Sequence, residues 1–200
     1  MKKVFIKNNN LNPHFIGSWT LKPLSICEDL INYFELNLAK QKKGRTINGM
    51  NTNSKDSMDI MIKPKEIILP GNEAFKAYFE QLFECYKNYI DDWPFLKENI
   101  SERLEIGSFN LQRYKPGQHF NKIHTERSNL DTLHRIFAFM TYLNDVNEGG
   151  STYFNHYDLE IQPRKGLTLI WPSEWTHAHK GNILKDGSKY IITGWIHFAK

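Results

Sequence analysis

Apolar residues recur at helical spacing twice in the first half of the chain, then give way to short alternating runs. In residues 25–40, SICEDLINYFELNLAK, the positions Cys27, Leu30, Ile31, Phe34 and Leu38 share one helical face, and Ser25 and Glu28 stand at capping-box spacing. Pro23 just upstream supports a helix starting there. Residues 75–93 form a longer candidate, because Phe75, Tyr78, Phe79, Leu82, Phe83, Tyr86, Tyr89, Ile90 and Trp93 keep the 3.6-residue period between Pro70–Gly71 and Pro94. An aromatic stripe of this kind is the face a helix packs on a sheet. The polar stretch between the two, residues 40–55 with Gly44 and Gly49, predicts a loop.

From Gly107 onward the period changes from 3.6 to 2. Strands are predicted near residues 108–114, 135–143, 151–154, 159–162, 168–171, 175–180 and 189–198. They are separated by turns at Pro116, at 144–150 (where Gly149 and Gly150 serve the turn), at 163–166, at Pro172 and at 185–188. Two or three helices followed by some seven strands predict an α+β chain whose strands close into a sandwich or barrel. A single domain over 1–200 is expected, with a helical part at about 1–100 and a β core at about 105–200.

Composition changes this picture little. The 200 residues are 40% hydrophobic and 14% aromatic, ordinary for a globular protein. The net charge of +4 is spread among 22 acidic residues, and the one dense basic run, KQKKGR at 40–45, reads as a solvated loop, which leaves no strong nucleic-acid signal. Cys27 and Cys85 fall within amphipathic patterns and make no CxxC motif, so they read as buried thiols of a reducing compartment. The N-terminal MKKVFIKNNN lacks the apolar core of a signal peptide, and no run approaches the length of a membrane span. A cytoplasmic location away from membranes is the expectation.

The chemistry is sought among the eight histidines. His14 reads as surface, His134 and His156 stand beside loops, and His197 sits among the apolar residues of the last strand. His119, His124, His177 and His179 remain. His124 and Glu126 are two apart, so on a strand both would face one side and could share an ion. With a later histidine they would make the two-histidine, one-carboxylate set of non-haem Fe(II) oxygenases. Catalytic zinc uses the same donors, although the helical H-E-x-x-H of zinc proteases is absent. A zinc hydrolase or isomerase therefore stands as a rival, as does a non-catalytic binding module on the same scaffold.

Four ordered blocks between Phe109 and Phe198 resemble the Fe(II)- and 2-oxoglutarate-dependent oxygenases, in the prolyl 4-hydroxylase-like branch. RYKPGQHFNKIHTE resembles the family's R-Y-x-x-G block ending in H-x-D; RIFAFMTYLNDVNEGGSTYF resembles its YLN segment with GG-x-T and an aromatic; IQPRKGLTLIW resembles its V-x-P-x-x-G element; and His179, Gly181, Gly187, Lys189 and Trp195 follow the order of its last block.

The resemblance implies a double-stranded β-helix, a jelly-roll or cupin-like barrel with N-terminal supporting helices. It implies Fe(II), 2-oxoglutarate and O2, with ascorbate as an optional reductant. Iron would be held by His124, Glu126 and His179, which would also be the catalytic centre; Glu126 stands where the family more often has Asp, one methylene shorter. Lys189 would bind the distal carboxylate of 2-oxoglutarate, where a buried ammonium needs an anion. Tyr142, Tyr114 and Thr193 would also line the cosubstrate pocket. His177, read as lying on the same strand face as His179, is a neighbour of the site; His119 matches no ligand position, and Trp171 and Trp195 read as core. The expected reaction is hydroxylation of a prolyl or other amino-acid side chain in a peptide or protein, with small-molecule substrates still open. The segments 40–55 and 128–133 read as substrate-facing loops. The oligomeric state is left open.

Overall fold

The computed structural model describes residues 1–6, 13–46, 49–100 and 103–199. Two of the residues in the loop expected over 40–55 (47 and 48), and residues 7–12 near the N-terminus, lie outside that description. Among the described residues thirteen strands and three α-helices follow in chain order. The first half holds β1 (Lys2–Lys3), β2 (Gly17–Thr20), α1 (Ser25–Leu36), β3 (Lys42–Lys43), β4 (Met58–Ile62), α2 (Glu73–Asp92) and α3 (Pro94–Asn99). The second half holds β5 (Leu104–Ile106), β6 (Phe109–Tyr114), β7 (Phe120–His124), β8 (Arg135–Tyr142), β9 (Thr152–Phe154), β10 (Leu159–Ile161), β11 (Leu167–Pro172), β12 (His179–Gly181) and β13 (Lys189–Phe198).

The strands form two antiparallel sheets. The larger runs β1-β2-β11-β8-β13-β6-β4-β3, with β5 added on β13, and the smaller runs β10-β9-β12-β7. The four central strands of the first facing the four of the second make a double-stranded β-helix, the jelly roll the resemblance implies. The first hundred residues are not only helical, because β1 to β4 extend the large sheet on both sides.

Strand alternation divides the large sheet into two faces. Phe109, Leu111, Phe137, Phe139, Ile170, Ile192 and Ile196 point outward into a core shared with Phe34, Phe75, Tyr78, Leu82 and Tyr89 of α1 and α2. The inward positions, among them Tyr114, Ala138, Met140, Tyr142, Leu169, Trp171 and Ile191, meet Phe154, Leu159 and Ile161 of the small sheet in a second core. Tyr78 anchors the helical layer by a 3.0 Å hydrogen bond to Thr141, which in turn lies 2.7 Å from Thr168. Gly194 is an outward position whose space is filled by aromatic side chains of the two flanking strands. A Cβ there would lie 2.7 Å from Cζ of Phe139 and 2.8 Å from Cβ of Phe109.

Several local expectations are corrected. The first helix ends at Leu36, because the Asn37 side-chain amide donates to the Tyr33 carbonyl and the chain tightens into a 3-10 turn at Leu38–Lys40, leaving Leu38 exposed. Its N-cap is Leu24 without a side-chain cap, so Ser25 and Glu28 form no capping box. Pro94 opens α3 as well as ending α2, a position where its missing N–H costs nothing. The strand expected over 175–180 is instead a 3-10 turn at Trp175–His177 followed by β12. Cys27 and Cys85 are buried and unpaired as expected, and burial pushes their thiols up to about 11 and about 12.

Candidate metal and cosubstrate site

His124 and His179 are cross-strand partners, paired Cα to Cα between β7 and β12. Directly opposed residues in an antiparallel pair hold their side chains about 5 Å apart, and the two imidazole centroids lie 4.5 Å apart. Each ring donates its Nδ1–H to the carbonyl two residues earlier, His124 to Lys122 and His179 to His177, both at 2.9 Å. These bonds select the tautomer that leaves Nε2 as a free acceptor, the second contact that metal-binding histidines require. Burial, and then the neighbouring His179, push the His124 imidazole down to about 4, so it is neutral near pH 7.

Glu126 is not on the strand with His124. The chain leaves β7 after His124 and bends, held by Thr125 Oγ1 donating to the Ser173 carbonyl at 2.8 Å and by Arg135 donating to the Glu126 carbonyl at 2.9 Å. The bend, not strand alternation, brings the carboxylate in. Oε1 lies 3.8 Å from Nε2 of His124 and 3.4 Å from Nε2 of His179. Oε2 is occupied separately, accepting the Trp195 indole N–H at 2.6 Å. Burial raises this carboxyl, while the Trp195 donor, and the facing histidines when they carry a proton on Nε2, lower it, so the group is held below the usual carboxylate range. Among the described residues these three are the one group of His, Cys, Asp and Glu whose ligand atoms converge, all within 4.8 Å of one another.

The three donors open on a cavity of about 630 Å³ between the sheets. One face of β13 runs along it, with Lys189, Ile191, Thr193 and Trp195 all lining the wall, opposite Asn110, Gln112 and Tyr114 of β6. Lys189 is 3% exposed and has no carboxylate within ion-pair distance among the described residues. Its ammonium donates to the Gly150 carbonyl at 2.8 Å and lies 4.4 Å over the Tyr114 ring. Gly150 takes φ +66°, a backbone state that favours glycine, which turns its carbonyl toward the ammonium. Burial pushes Lys189 down to about 7. Two of its three protons remain for an anion in the cavity.

The other residues singled out in the sequence fare differently here. Tyr114 and Thr193 both line the cavity, although their hydroxyls are bonded within the protein, to Gln112 Oε1 at 2.8 Å and to the Phe139 carbonyl at 2.9 Å. Tyr142 does not line it. Its single hydroxyl proton is committed to Thr152 Oγ1 at 2.6 Å, so its contribution is to hold Thr152, which does line the wall. His177 is also away from the cavity: its Nε2–H donates to the His14 carbonyl at 3.0 Å and its Nδ1 accepts from Thr176, the opposite tautomer from the two facing histidines. His119 does not line the cavity either, and its Nδ1 accepts the Asn121 N–H.

Two residues escaped the sequence reading. Trp195 was read as core and instead orients Glu126, while Arg135 stacks 3.6 Å over the Trp195 ring. Trp195 follows Lys189, Ile191 and Thr193 on the inward face of β13, so alternation was the available signal for it; Arg135 has the parity of outward Phe137 and Phe139, and the register shift between Ile196 and His197 is what alternation does not show.

The donor set fits a hard divalent metal with open positions, and the buried ammonium fits a carboxylate ligand beside it. A family model described as the 2OG-Fe(II) oxygenase superfamily matches residues 109–197. The chain is 24% identical over 222 residues to prolyl 4-hydroxylase subunit alpha-1 of Homo sapiens, covering 98% of this chain and 40% of that one. It spans less than half the length of the curated relatives it matches. Its fold is similar to a Trichoplax adhaerens prolyl hydroxylase solved with a hypoxia inducible factor oxygen degradation domain peptide, with TM-score 0.71, 18% identity and 95% and 86% of the two chains covered. It is likewise similar to a viral collagen prolyl hydroxylase from Paramecium Bursaria Chlorella virus-1, solved as its 2OG complex, with TM-score 0.66, 19% identity and 92% and 97% covered. Motif order, jelly roll and donor geometry agree with the 2OG-Fe(II) oxygenase superfamily model that matches residues 109–197, and the chain is similar to prolyl 4-hydroxylases in sequence and fold.

Proposed function

We propose that this chain is an Fe(II)- and 2-oxoglutarate-dependent dioxygenase that hydroxylates an amino-acid side chain, prolyl first, in a peptide or protein. The observation that carries the proposal is the combination of three convergent metal donors with a buried, carboxylate-free Lys189 in one cavity. A zinc hydrolase would have no use for that ammonium, and a binding module would not need the His–His–Glu set beside it. The prolyl preference is supported by the relatives named above, which are prolyl hydroxylases.

His124, Glu126 and His179 would hold the iron, and Lys189 the distal carboxylate of 2-oxoglutarate. Bound together with O2, these cofactors supply an oxidation that converts 2-oxoglutarate to succinate and CO2 and delivers one oxygen atom to the substrate. The residues of the chain do the rest. The His124 and His179 rings are pinned through Nδ1 and the Glu126 carboxylate through Trp195, so the donors are preorganised on strands. Met140, Ile191 and Trp171 give the cavity apolar walls that limit water around the reacting atoms. Tyr114 presents its ring face to the Lys189 ammonium, a cation–π contact that compensates part of the cost of burial.

We treat the chain as one oxygenase domain, a reading supported by β1 to β4 joining the same sheet as β13. A cytoplasmic setting is supported by two buried free thiols; no helix among the described residues is long and apolar enough to cross a membrane. The test is to load purified protein with Fe(II) and 2-oxoglutarate under O2 and measure succinate. Slow formation above a metal-free control is expected even without substrate, and its absence would sink the proposal. Screening peptides for a one-oxygen mass gain then identifies the substrate.

A further inference from the structure

The cavity wall is strongly one-sided in charge. Five cationic side chains line it, Arg45, Lys55, Lys122, Arg135 and Lys189, against a single carboxylate, Glu126. Three of the cations have duties already. Lys55, 4% exposed, donates to Asp59 at 2.6 Å; Arg135 is bonded to the Glu126 carbonyl and stacked on Trp195; Lys189 sits deep beside Gly150. Arg45 and Lys122 are different, being exposed side chains of the lining with no carboxylate partner among the described residues.

These two cations stand on separate walls that the fold ties together. Arg45 follows Gly44, whose N–H donates to the Ser57 carbonyl at 2.9 Å. A Cβ on Gly44 would lie 2.1 Å from Ser57 Oγ, so glycine is what lets the hairpin of β3 and β4 close this tightly. The hairpin tip is further held by reciprocal backbone bonds between Thr46 and Gly49 at 2.9 and 3.0 Å. Lys122 lies in β7, whose leading edge is bonded to the same insertion through Asp56 and His119 at 2.8 and 3.1 Å. Two residues beyond Lys122 is His124. An exposed apolar residue, Ile123, also lines the opening, and Leu130 is exposed on the loop that follows, near the lining residues Ser128 and Thr132.

We infer that Arg45 and Lys122 are specificity-determining residues that select an acidic peptide, holding Asp or Glu side chains that flank the residue presented to the metal. The inference rests on the oxygenase reading and names its substrate class. Unpaired cations at an otherwise carboxylate-free opening attract anions before contact and repel basic segments, so they act on both encounter and register. Their position on backbone held by hydrogen bonds lowers the ordering cost of a bound peptide. The exposed Ile123, next to Lys122 on β7, supplies apolar surface at the opening for the peptide's own side chains.

The experiment uses the full chain and a fluorescent peptide with one central Pro flanked by Glu residues, beside its Gln isostere, read by anisotropy at low and at physiological salt. The Glu peptide is expected to bind about tenfold more tightly than the Gln peptide, with the difference shrinking as salt rises. Arg45→Glu with Lys122→Glu should erase or reverse that preference. Substrate-independent succinate formation by the unaltered chain is measured alongside, which separates failure of the specificity claim from failure of the oxygenase reading. Equal binding of the two peptides, or a preference that survives the double charge reversal, overturns the inference. So does displacement of the Glu peptide by free glutamate at matching concentration, which would mark a small-molecule site. Single Arg45→Gln and Lys122→Gln variants, each expected to lose part of the preference, guard against misfolding of the double variant.

Discussion

The Trp195 indole N–H donates to Glu126 Oε2 at 2.6 Å, which leaves Oε1 as the oxygen facing both imidazoles. Trp195→Phe keeps the ring that Arg135 covers and removes only the donor. Outer-shell partners of this kind are worth roughly 10 to 100-fold in metal affinity. The variant is expected to stay folded and lose Fe(II) affinity by that factor, as read by metal titration; unchanged affinity would show that the bend after His124 alone positions the carboxylate.

Lys189 and Glu126 should separate cleanly. Glu126→Ala is expected to lose metal binding, whereas Lys189→Met should keep the metal and raise the 2-oxoglutarate concentration needed for turnover by about 100-fold or more, because a buried ligand carboxylate is left unpaired. Equal loss of metal in both variants would contradict the separate roles. Burial has pushed Lys189 down to about 7. Between that value and the ordinary lysine pKa the unfolded chain holds the extra proton, so the ligand-free fold gains stability as pH rises through this window and carries the full cost below it. Lys189→Met should therefore raise the melting temperature of the ligand-free protein near pH 7.

The same lysine sets a pH dependence for cosubstrate binding. A bound dicarboxylate favours the charged ammonium, so above about pH 7 binding takes up a proton and affinity should fall with rising pH, by up to about tenfold per unit. Calorimetry in two buffers of different ionisation enthalpy measures the proton uptake directly. Affinity that is flat from pH 7 to 9 would mean that Lys189 does not contact the ligand.

His177 should matter to the fold and not to the metal. What it offers His179 is its backbone carbonyl, at 2.9 Å, and that survives substitution. His177→Ala is expected to change metal affinity less than about threefold while costing about 1–3 kcal/mol of stability through the lost bond to the His14 carbonyl and the space left behind. Burial pushes this imidazole down to about 4. The unfolded chain takes the proton first, so its contribution is complete above the ordinary histidine pKa and is lost as pH falls toward 4. Urea melts of the protein and the variant across pH 4 to 7 would show the two curves converging at the acid end.

Much of this molecule is legible without coordinates. β6, β8, β9, β10, β11 and β13 fall within a residue or so of the alternating runs, because each has one face on a core and its neighbours facing the other way. β7 is the instructive miss. FNKIH does not alternate, with Asn121 and Lys122 adjacent and Phe120 and Ile123 three apart, and none of its residues is buried, because the strand borders the open cavity, so the strand bearing His124 has no hydrophobic signature. β2, β4 and β5 were missed for a related reason: they are short, and neighbouring strands, rather than their own pattern, hold them in the sheet. Trp195 looked like core because a large aromatic on a buried strand usually is; only its neighbour Glu126 reveals the indole N–H as a donor.

By itself the sequence determined the two helical faces, the alternation that makes one side of β13 continuous from Lys189 to Trp195, and the ordered motif blocks that imply an iron and 2-oxoglutarate oxygenase. Those properties are local, set by spacing along the chain. The tertiary structure decided what depends on residues far apart in sequence: that His124 and His179 are opposed across two strands, that His177 turns its ring away toward His14, that Tyr142 spends its proton on Thr152, and that Lys189 is buried with no carboxylate partner among the described residues. Hydrogen bonds and ion pairs join groups that spacing cannot relate, and only the folded chain brings them within 3 Å.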